Sequence, residues 1–284
     1  MFKDYLRLLR VEQWYKNVII FISIIFSSNL FNEKMVFLTV LGFISLCFIS
    51  SSSYIINDIL DMKKDQNHPE KKNRPLTSGK IKKASAVTLS IILFVVSVVM
   101  AYFLSPLFLG AVLTLFIFSQ AYTFYVRNIA FLDIIFISIN FIIRAISGTF
   151  IINYPVSFWV ILSTFFLSLF LVSSKRSLEL LLKNAKDYRP GFKDTDKKVL
   201  NFLSVFSICN VFIFFSIYSI LTEKATLLIS LPVSIYIVLC FFRDLYSSPE
   251  KIRNPEKFIF QGKILLAFLL WVLLIIASFY FLPN

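Results

Sequence analysis

The sequence predicts an all-α protein that crosses a membrane repeatedly, and three observations predict it. Apolar runs recur along all 284 residues and reach about 20 residues each, enough for a membrane helix and too long for barrel strands. Hydrophobic residues make up 58% of the chain, with 34 phenylalanines, more than a soluble domain carries. The net charge of +13 is gathered into a few stretches between the runs, which speaks of topology and anionic ligands rather than DNA. The same composition sets bounds on chemistry. Cys47, Cys209 and Cys240 lie inside apolar runs without metal-ligand spacing and read as core or lipid-facing residues. His68 is the single histidine, so a histidine-based metal site is excluded. No small-residue cleavage site follows the first apolar run, so no cleavable signal is expected.

Taken in order, the chain opens with Phe2, Tyr5, Leu6 and Leu9 alternating with Lys3, Arg7 and Arg10 at helical spacing. That pattern predicts an interfacial helix on an anionic leaflet within residues 1–16, ending in the anchor Trp14, Tyr15 and Lys16. Nine spans follow, over residues 17–31, 36–57, 84–104, 106–126, 129–152, 155–174, 199–221, 225–246 and 258–282. The first is short and borrows length from residues 14–16. The placement of the cations supports the count. With the N-terminus inside, 26 of the 29 Lys and Arg fall in inside segments, Lys34 and Lys224 fall outside, and Arg144 lies within a span. Omitting one span would scramble this asymmetry. It places the N-terminus in the cytoplasm, the C-terminus outside, and both long loops, 58–83 and 175–198, in the cytoplasm. The expected organisation is one integral-membrane domain, residues 1–284, in the cell (inner or plasma) membrane. The long loops follow spans two and six, which hints at a duplicated helical unit.

The longest polar interruption of the first half is NDILDMKKDQNHPEKKNRPLTSGKI, residues 57–81, and an apolar run leads straight into it. On a helix, Asp58, Asp61 and Asp65 share a face at steps of three and four, and Asn57, Asp61 and Asp65 share an overlapping one. Carboxylates so placed repel one another unless a cation sits among them. Magnesium suits oxygen ligands and binds one or two carboxylates together with substrate phosphates. Lys71, Lys72 and Arg74 can hold phosphates directly. The stretch reads as a Mg²⁺–diphosphate site in a solvated entrance at the membrane surface; a mixed-charge loop between two spans fits the same spacing.

The second polar segment, residues 175–198, reads KRSLELLLKNAKDYRPGFKDTDKK. Arg176 and Glu179 are three apart and share a helix face, and Arg189-Pro190-Gly191 marks a turn. Lys175, Arg176 and Glu179 abut the membrane and form a candidate second anion site facing the first. Lys193, Lys197 and Lys198 suit plain positive-inside anchoring. Within span five, Asp133, Asn140 and Arg144 share one face, and ionisable groups inside a span are functional candidates. Asp133 and Arg144 lie about 16 Å apart along a helix, too far to pair. Asp133 is placed to line the same cavity as Asp58; Arg144, toward the outer half, has a structural reading equally open to it. Gln120 and Tyr122 are weaker candidates, and the serines at 50–53 suit close helix packing.

The motif NDILDMKKD, Asn57 to Asp65, resembles the NDxxDxxxD signature of the UbiA superfamily of membrane prenyltransferases. NRPLTSG, Asn73 to Gly79, resembles the RPxxSG segment that follows it there. The resemblance implies nine transmembrane helices around a central cavity open to the cytoplasmic side, with polar loops after spans two and six. In that superfamily the second motif usually carries several aspartates, whereas here it is SKRSLEL over 174–180, with Arg189 and Pro190 further on. This variant resembles the branch of decaprenyl-phosphate phosphoribosyltransferases. So do RVEQWYKN over 10–17, Leu132-Asp133, FIIRA over 141–145 and NPEK over 254–257, and the resemblance thus runs nearly the whole chain.

That branch implies Mg²⁺-dependent transfer of the phosphoribosyl group from phosphoribosyl pyrophosphate to a polyprenyl (decaprenyl-type) phosphate, with release of diphosphate. Asp58, Asp61 and Asp65 would be the catalytic and metal-holding residues. Lys16, Asn57, Lys71, Arg74, Asp133, Lys175, Arg176, Glu179 and Arg189 would bind substrate. The attacking lipid phosphate oxygen is already anionic, so no strong general base is needed, in keeping with the near absence of histidine. The implied partners are the two substrates and the bilayer, with no nucleic acid, and a homo-oligomer is compatible. Two other readings stay open. One is a prenyltransferase of the same superfamily that joins prenyl diphosphate to an aromatic acceptor, which wants more acid in the second loop. The other is a lipid-phosphate carrier without chemistry, against which stands the gathering of charge on one side.

Overall fold

In the computed structural model the described residues are 2–66, 71–155, 157–180, 191–193, 195–247, 258 and 261–282. Among them every regular element is helical. The order is α1 (Phe2–Leu9), a 3₁₀ helix (Val11–Phe21), α2 (Ile22–Phe26), α3 (Glu33–Asp65), a 3₁₀ turn (Lys71–Asn73), α4 (Lys83–Leu104) and α5 (Pro106–Ala121). A π-helical turn (Tyr122–Val126) extends α5. Then come α6 (Leu132–Ile152), α7 (Phe158–Glu179), α8 (Asp196–Leu221), a 3₁₀ helix (Ala225–Ser230), α9 (Leu231–Ser247) and α10 (Gly262–Tyr280). Eight of these segments are long and apolar enough to cross a membrane, so the chain is a multi-pass helical membrane protein.

The eight correspond to expected spans two to nine. The segment expected as span one is built differently: Val11–Phe21 is a 3₁₀ helix that runs into the short α2. A 3₁₀ helix rises about 2.0 Å per residue against about 1.5 Å for an α-helix, so the two pieces together reach about 30 Å with few residues. Asn17 is buried here and donates to Cys47 Sγ (3.3 Å) while its carbonyl oxygen accepts from Arg144 Nε (2.8 Å). Gly148 on α6 lets this segment in. A Cβ at Gly148 would run into the Ile20 carbonyl oxygen and the Ser23 hydroxyl.

Asn32 caps α3 by accepting from the Met35 amide (3.2 Å), and Glu33 favours the positive end of the helix dipole. The sequence expectation ends span two at Asn57, with 58–83 as a loop, but α3 continues to Asp65. Nothing in NDILDMKKD breaks a helix, and Lys63 and Lys64 in the last turn suit its negative end. Likewise Lys175, Arg176 and Glu179 belong to the last turns of α7 rather than to a loop.

The chain divides into two compact units. The first holds residues 1–125 and 143–155; the second holds 126–142 and 156–284, so α6 contributes its first half to one and its second half to the other. In the first unit α3 and α4 pack antiparallel through reciprocal serine bonds. Ser45 Oγ donates to the Ser97 carbonyl (3.0 Å) and Ser97 Oγ to that of Ser45 (2.8 Å). Two turns on, Ser52 and Ser90 repeat the exchange at 2.9 and 3.2 Å. Small hydroxyl residues let two helix backbones approach closely and satisfy the hydroxyls in an apolar medium. An apolar core of Ile20, Leu46, Ile49, Phe108, Val112 and Leu115 fills the rest. The outer face of α4 exposes Ile91, Val95, Tyr102 and Phe103, as a lipid-facing helix does. In the second unit α7 and α8 pair the same way: Ser173 and Ser174 meet Ser204 at 2.9 and 3.1 Å, and Ser177 meets Asn201. A Phe170, Phe241 and Phe258 cluster closes that core.

Candidate active site

The last two turns of α3 carry Asp58, Asp61 and Asp65 on one face, as their spacing predicts. A helix C-terminus is the wrong end for carboxylates, which meet the negative end of the dipole as well as each other. The fold answers with guanidinium groups. Arg74 Nη1 donates to Asp58 Oδ1 (3.0 Å) and to Asp65 Oδ2 (2.6 Å), bridging two turns of the helix. Arg10 Nη2 donates to the same Asp58 Oδ1 at 2.5 Å, and its Cζ lies 4.8 Å from the centre of the Tyr54 ring. Arg74 reaches the site because residues 71–81 form a tight turn. The Ser78 amide donates to the Arg74 carbonyl (2.9 Å), the Gly79 amide to that of Leu76 (3.1 Å), and the Ile81 amide to that of Pro75 (3.1 Å). Gly79 holds φ at 74°, which a glycine adopts without strain. Leu76 and Ile81 anchor the turn in a core with Leu8, Ile55 and Ala86.

Asp58 and Asp65 are 3% and 2% exposed. This corrects the expectation of a solvated entrance: the arginines allow two carboxylates to be buried, which would be costly if they stood alone. Asp61 and Asn57 are half-buried on the same two turns. Lys71 opens the 3₁₀ turn, and burial lowers its ammonium pKa from the ordinary 10.5 against the opposing pull of the Asp65 carboxylate. Lys16 Nζ donates to Gln13 Oε1 (3.0 Å), one 3₁₀ turn away.

The fit of this donor set to a hard divalent cation divides in two. The chemistry suits: three carboxylates and an amide, all oxygen donors, on one helix face. The arrangement of side chains has guanidinium donors on Asp58 and Asp65, and among the described residues no three acidic, histidine or cysteine groups converge as a metal site. A cation held by these carboxylates would therefore stand beside the two guanidinium groups.

The second unit builds its own cluster around Arg176. Its Nε donates to Asp133 Oδ2 (2.8 Å) and its Nη1 to Glu179 Oε2 (2.8 Å). Asp133 is fully buried and Arg176 is 4% exposed. Lys175 is half-buried beside it. Asp133 and Arg144, expected not to pair, bond to Arg176 and to Asn17 respectively. Asn140 bonds within its own helix, to the Phe136 carbonyl. Arg189 lies outside the described residues, as do Pro190 and His68. Sequence reasoning missed Arg10 and Tyr54 as site residues. The available signal for Arg10 was that it opens the RVEQWYKN segment.

The protein is thus a helical membrane protein with an aspartate face clamped by arginines at the end of one helix and an Arg176–Asp133–Glu179 cluster at the end of another. The chain matches the model of the UbiA prenyltransferase family over residues 18–261, and it belongs to that family. It is 30% identical over 233 residues to the decaprenyl-phosphate phosphoribosyltransferase of Mycolicibacterium smegmatis, covering 80% of this chain and 73% of that protein. The protein of the same name from Mycobacterium tuberculosis is 32% identical over 180 residues, 61% of this chain and 59% of that one. A solved UbiA homologue from Archaeoglobus fulgidus, bound to DMAPP and Mg²⁺, superposes with a TM-score of 0.70 at 18% identity, over 98% of this chain and 100% of that one. The family assignment makes this protein a membrane transferase.

Proposed function

We propose that the protein transfers the phosphoribosyl group of phosphoribosyl pyrophosphate to a polyprenyl phosphate and releases diphosphate. The observation that carries the reading is the meeting of carboxylates and guanidiniums on one helix end: Asp58 and Asp65 with Arg10 and Arg74. Oxygen donors for a hard cation and forked donors for phosphate oxygens stand side by side there, as a diphosphate donor needs. The name shared by the mycobacterial relatives supports this substrate pair. The second cluster favours it over prenyl transfer to an aromatic acceptor, because it centres on Arg176 rather than on a set of aspartates.

In this reading Asp58, Asp61 and Asp65 hold magnesium, which when bound neutralises charge on the diphosphate as it leaves. Arg74, Lys71 and Asn57 orient the diphosphate. Lys16 adds a cation in the first unit, and Lys175 and Arg176, the latter kept in place by Asp133 and Glu179, form an anion site within the second. The bond from ribose C1 to the diphosphate oxygen breaks, its electron pair leaves with diphosphate, and an anionic oxygen of the lipid phosphate forms the new bond to C1. No proton need be removed from that oxygen.

The test uses membranes containing the protein, with labelled phosphoribosyl pyrophosphate plus polyprenyl phosphate in one arm and labelled prenyl diphosphate plus an aromatic acceptor in the other. Expected is label entering the lipid fraction in the first arm alone, with equimolar diphosphate and dependence on magnesium. Transfer in the second arm alone would replace the proposal with prenyl transfer, and no diphosphate release in either arm would favour a carrier.

A further inference from the structure

Arg10 sits at the corner between α1 and the 3₁₀ helix with φ 52° and ψ 46°. Residues bearing a Cβ rarely adopt this left-handed conformation, and it persists where the surroundings over-determine it. Those surroundings are specific. Trp14 Nε1 donates to Ser51 Oγ (3.0 Å), and Ser51 Oγ donates to the Leu9 carbonyl (2.8 Å), so the chain is fastened to α3 on both sides of the corner. The guanidinium then lies against the Tyr54 ring and on Asp58 Oδ1, the oxygen that Arg74 also uses. Arg74 has a second carboxylate in Asp65, whereas among the described residues Arg10 forms its ion pair with Asp58.

A divalent cation approaching Asp58 meets two guanidinium groups of like charge, one of them held by a strained backbone. The opposition falls when an anion with several oxygens takes up the guanidinium donors. We propose that Arg10 is a counter-cation that couples metal to diphosphate: it occupies Asp58 while diphosphate is absent, so that a divalent cation binds with the diphosphate rather than alone. Arg10 in this role is a positioning residue. The inference rests on the reading of Asp58, Asp61 and Asp65 as metal-holding groups.

The test is a titration of the purified full-length protein in nanodiscs with Mn²⁺, free metal being read by electron paramagnetic resonance, with and without inorganic pyrophosphate. Wild type is expected to bind Mn²⁺ about tenfold more tightly with pyrophosphate present, a coupling of ordinary size. Arg10→Gln should tighten Mn²⁺ binding in the absence of pyrophosphate by several-fold and shrink the coupling. Arg10→Lys keeps the charge and should keep most of the coupling. Unchanged or weakened Mn²⁺ binding in Arg10→Gln, with wild-type elution and thermal unfolding, overturns the proposal, as does Arg10→Lys behaving like Arg10→Gln. Should Arg10→Gln fail to fold, Tyr54→Leu, which removes the ring beneath the guanidinium, must shift Mn²⁺ binding the same way or the proposal fails. Asp58→Asn separates the two levels. If it binds Mn²⁺ as wild type does, the metal reading itself falls. If it loses Mn²⁺ while Arg10→Gln changes nothing, the coupling alone falls.

Discussion

Arg176 holds two carboxylates at once, and its neighbour Lys175 points to a different kind of contribution. Removing one partner of a buried ion pair leaves the other charged and desolvated, at a cost of about 3–5 kcal/mol. Arg176→Met should therefore lower thermal stability markedly, because Asp133 stays behind fully buried. Lys175→Ala, at a half-buried position, should leave stability within about 1 kcal/mol of wild type and instead raise the KM for the phosphoribosyl donor. Unfolding curves and donor titrations of the two variants distinguish these outcomes; a stability loss in Lys175→Ala equal to that of Arg176→Met would make the lysine structural. At this scale the sequence singles out Asp58, Asp61, Asp65, Arg74, Asp133, Arg176 and Glu179 as candidates, and the structure pairs Arg74 with Asp58 and Asp65, and Arg176 with Asp133 and Glu179. The sequence did not show that Arg74 and Arg176 spend their donors on the protein's own carboxylates. Pairing between residues as distant as Asp133 and Arg176 depends on which helices touch, and periodicity along one helix carries no trace of that.

The segment from Val11 to Phe26 shows what an element contributes beyond its residues. It carries Lys16 and Asn17, begins beside Arg10, and lies so close to α6 that Gly148 has no room for a side chain. Gly148→Val should displace the segment at Ile20 and Ser23, destabilise by about 1–3 kcal/mol through overpacking, and reduce transfer although Gly148 touches none of the cluster. A thermal-unfolding series with an activity assay checks this; normal stability and activity would show the approach to be loose. Sequence periodicity placed α4 to α10 within a few residues because apolar length alone fixes a membrane helix. It missed the end of α3 for a physical reason. Polarity marks the end of the apolar run, yet a helix continues past it wherever neighbouring groups compensate its charges, as Arg10 and Arg74 do for the aspartates.

At the level of the whole molecule, the number of crossings decides which sides the ends occupy. Eight crossings put both termini on one side, and nine put them on opposite sides. The axial length of residues 11–26, about 30 Å, matches a hydrocarbon core, so we expect nine, with the N-terminus cytoplasmic and residue 282 outside. Single cysteines introduced at residues 3 and 282, in a background with Cys47, Cys209 and Cys240 replaced, should react with an impermeant thiol reagent from opposite faces of sealed cells. Labelling of both from the same face would show that the 3₁₀ segment turns back within the membrane.

The sequence by itself determined the helical class, the transmembrane elements from α3 onward, and the family, because a membrane helix is a local object: length, apolarity and a motif at fixed spacing specify it. The aspartate face of α3 was legible for the same reason. Tertiary structure alone decided that Arg10 reaches Asp58 across 48 residues of chain, and that Arg144 meets Asn17 across 127. It also decided that serines answer serines between α3 and α4. In the bilayer interior, where water offers no partners, a buried polar group bonds to its own helix, as Asn140 does, or to another, as Asn17 and Arg144 do. Only the packing of helices settles which one that is.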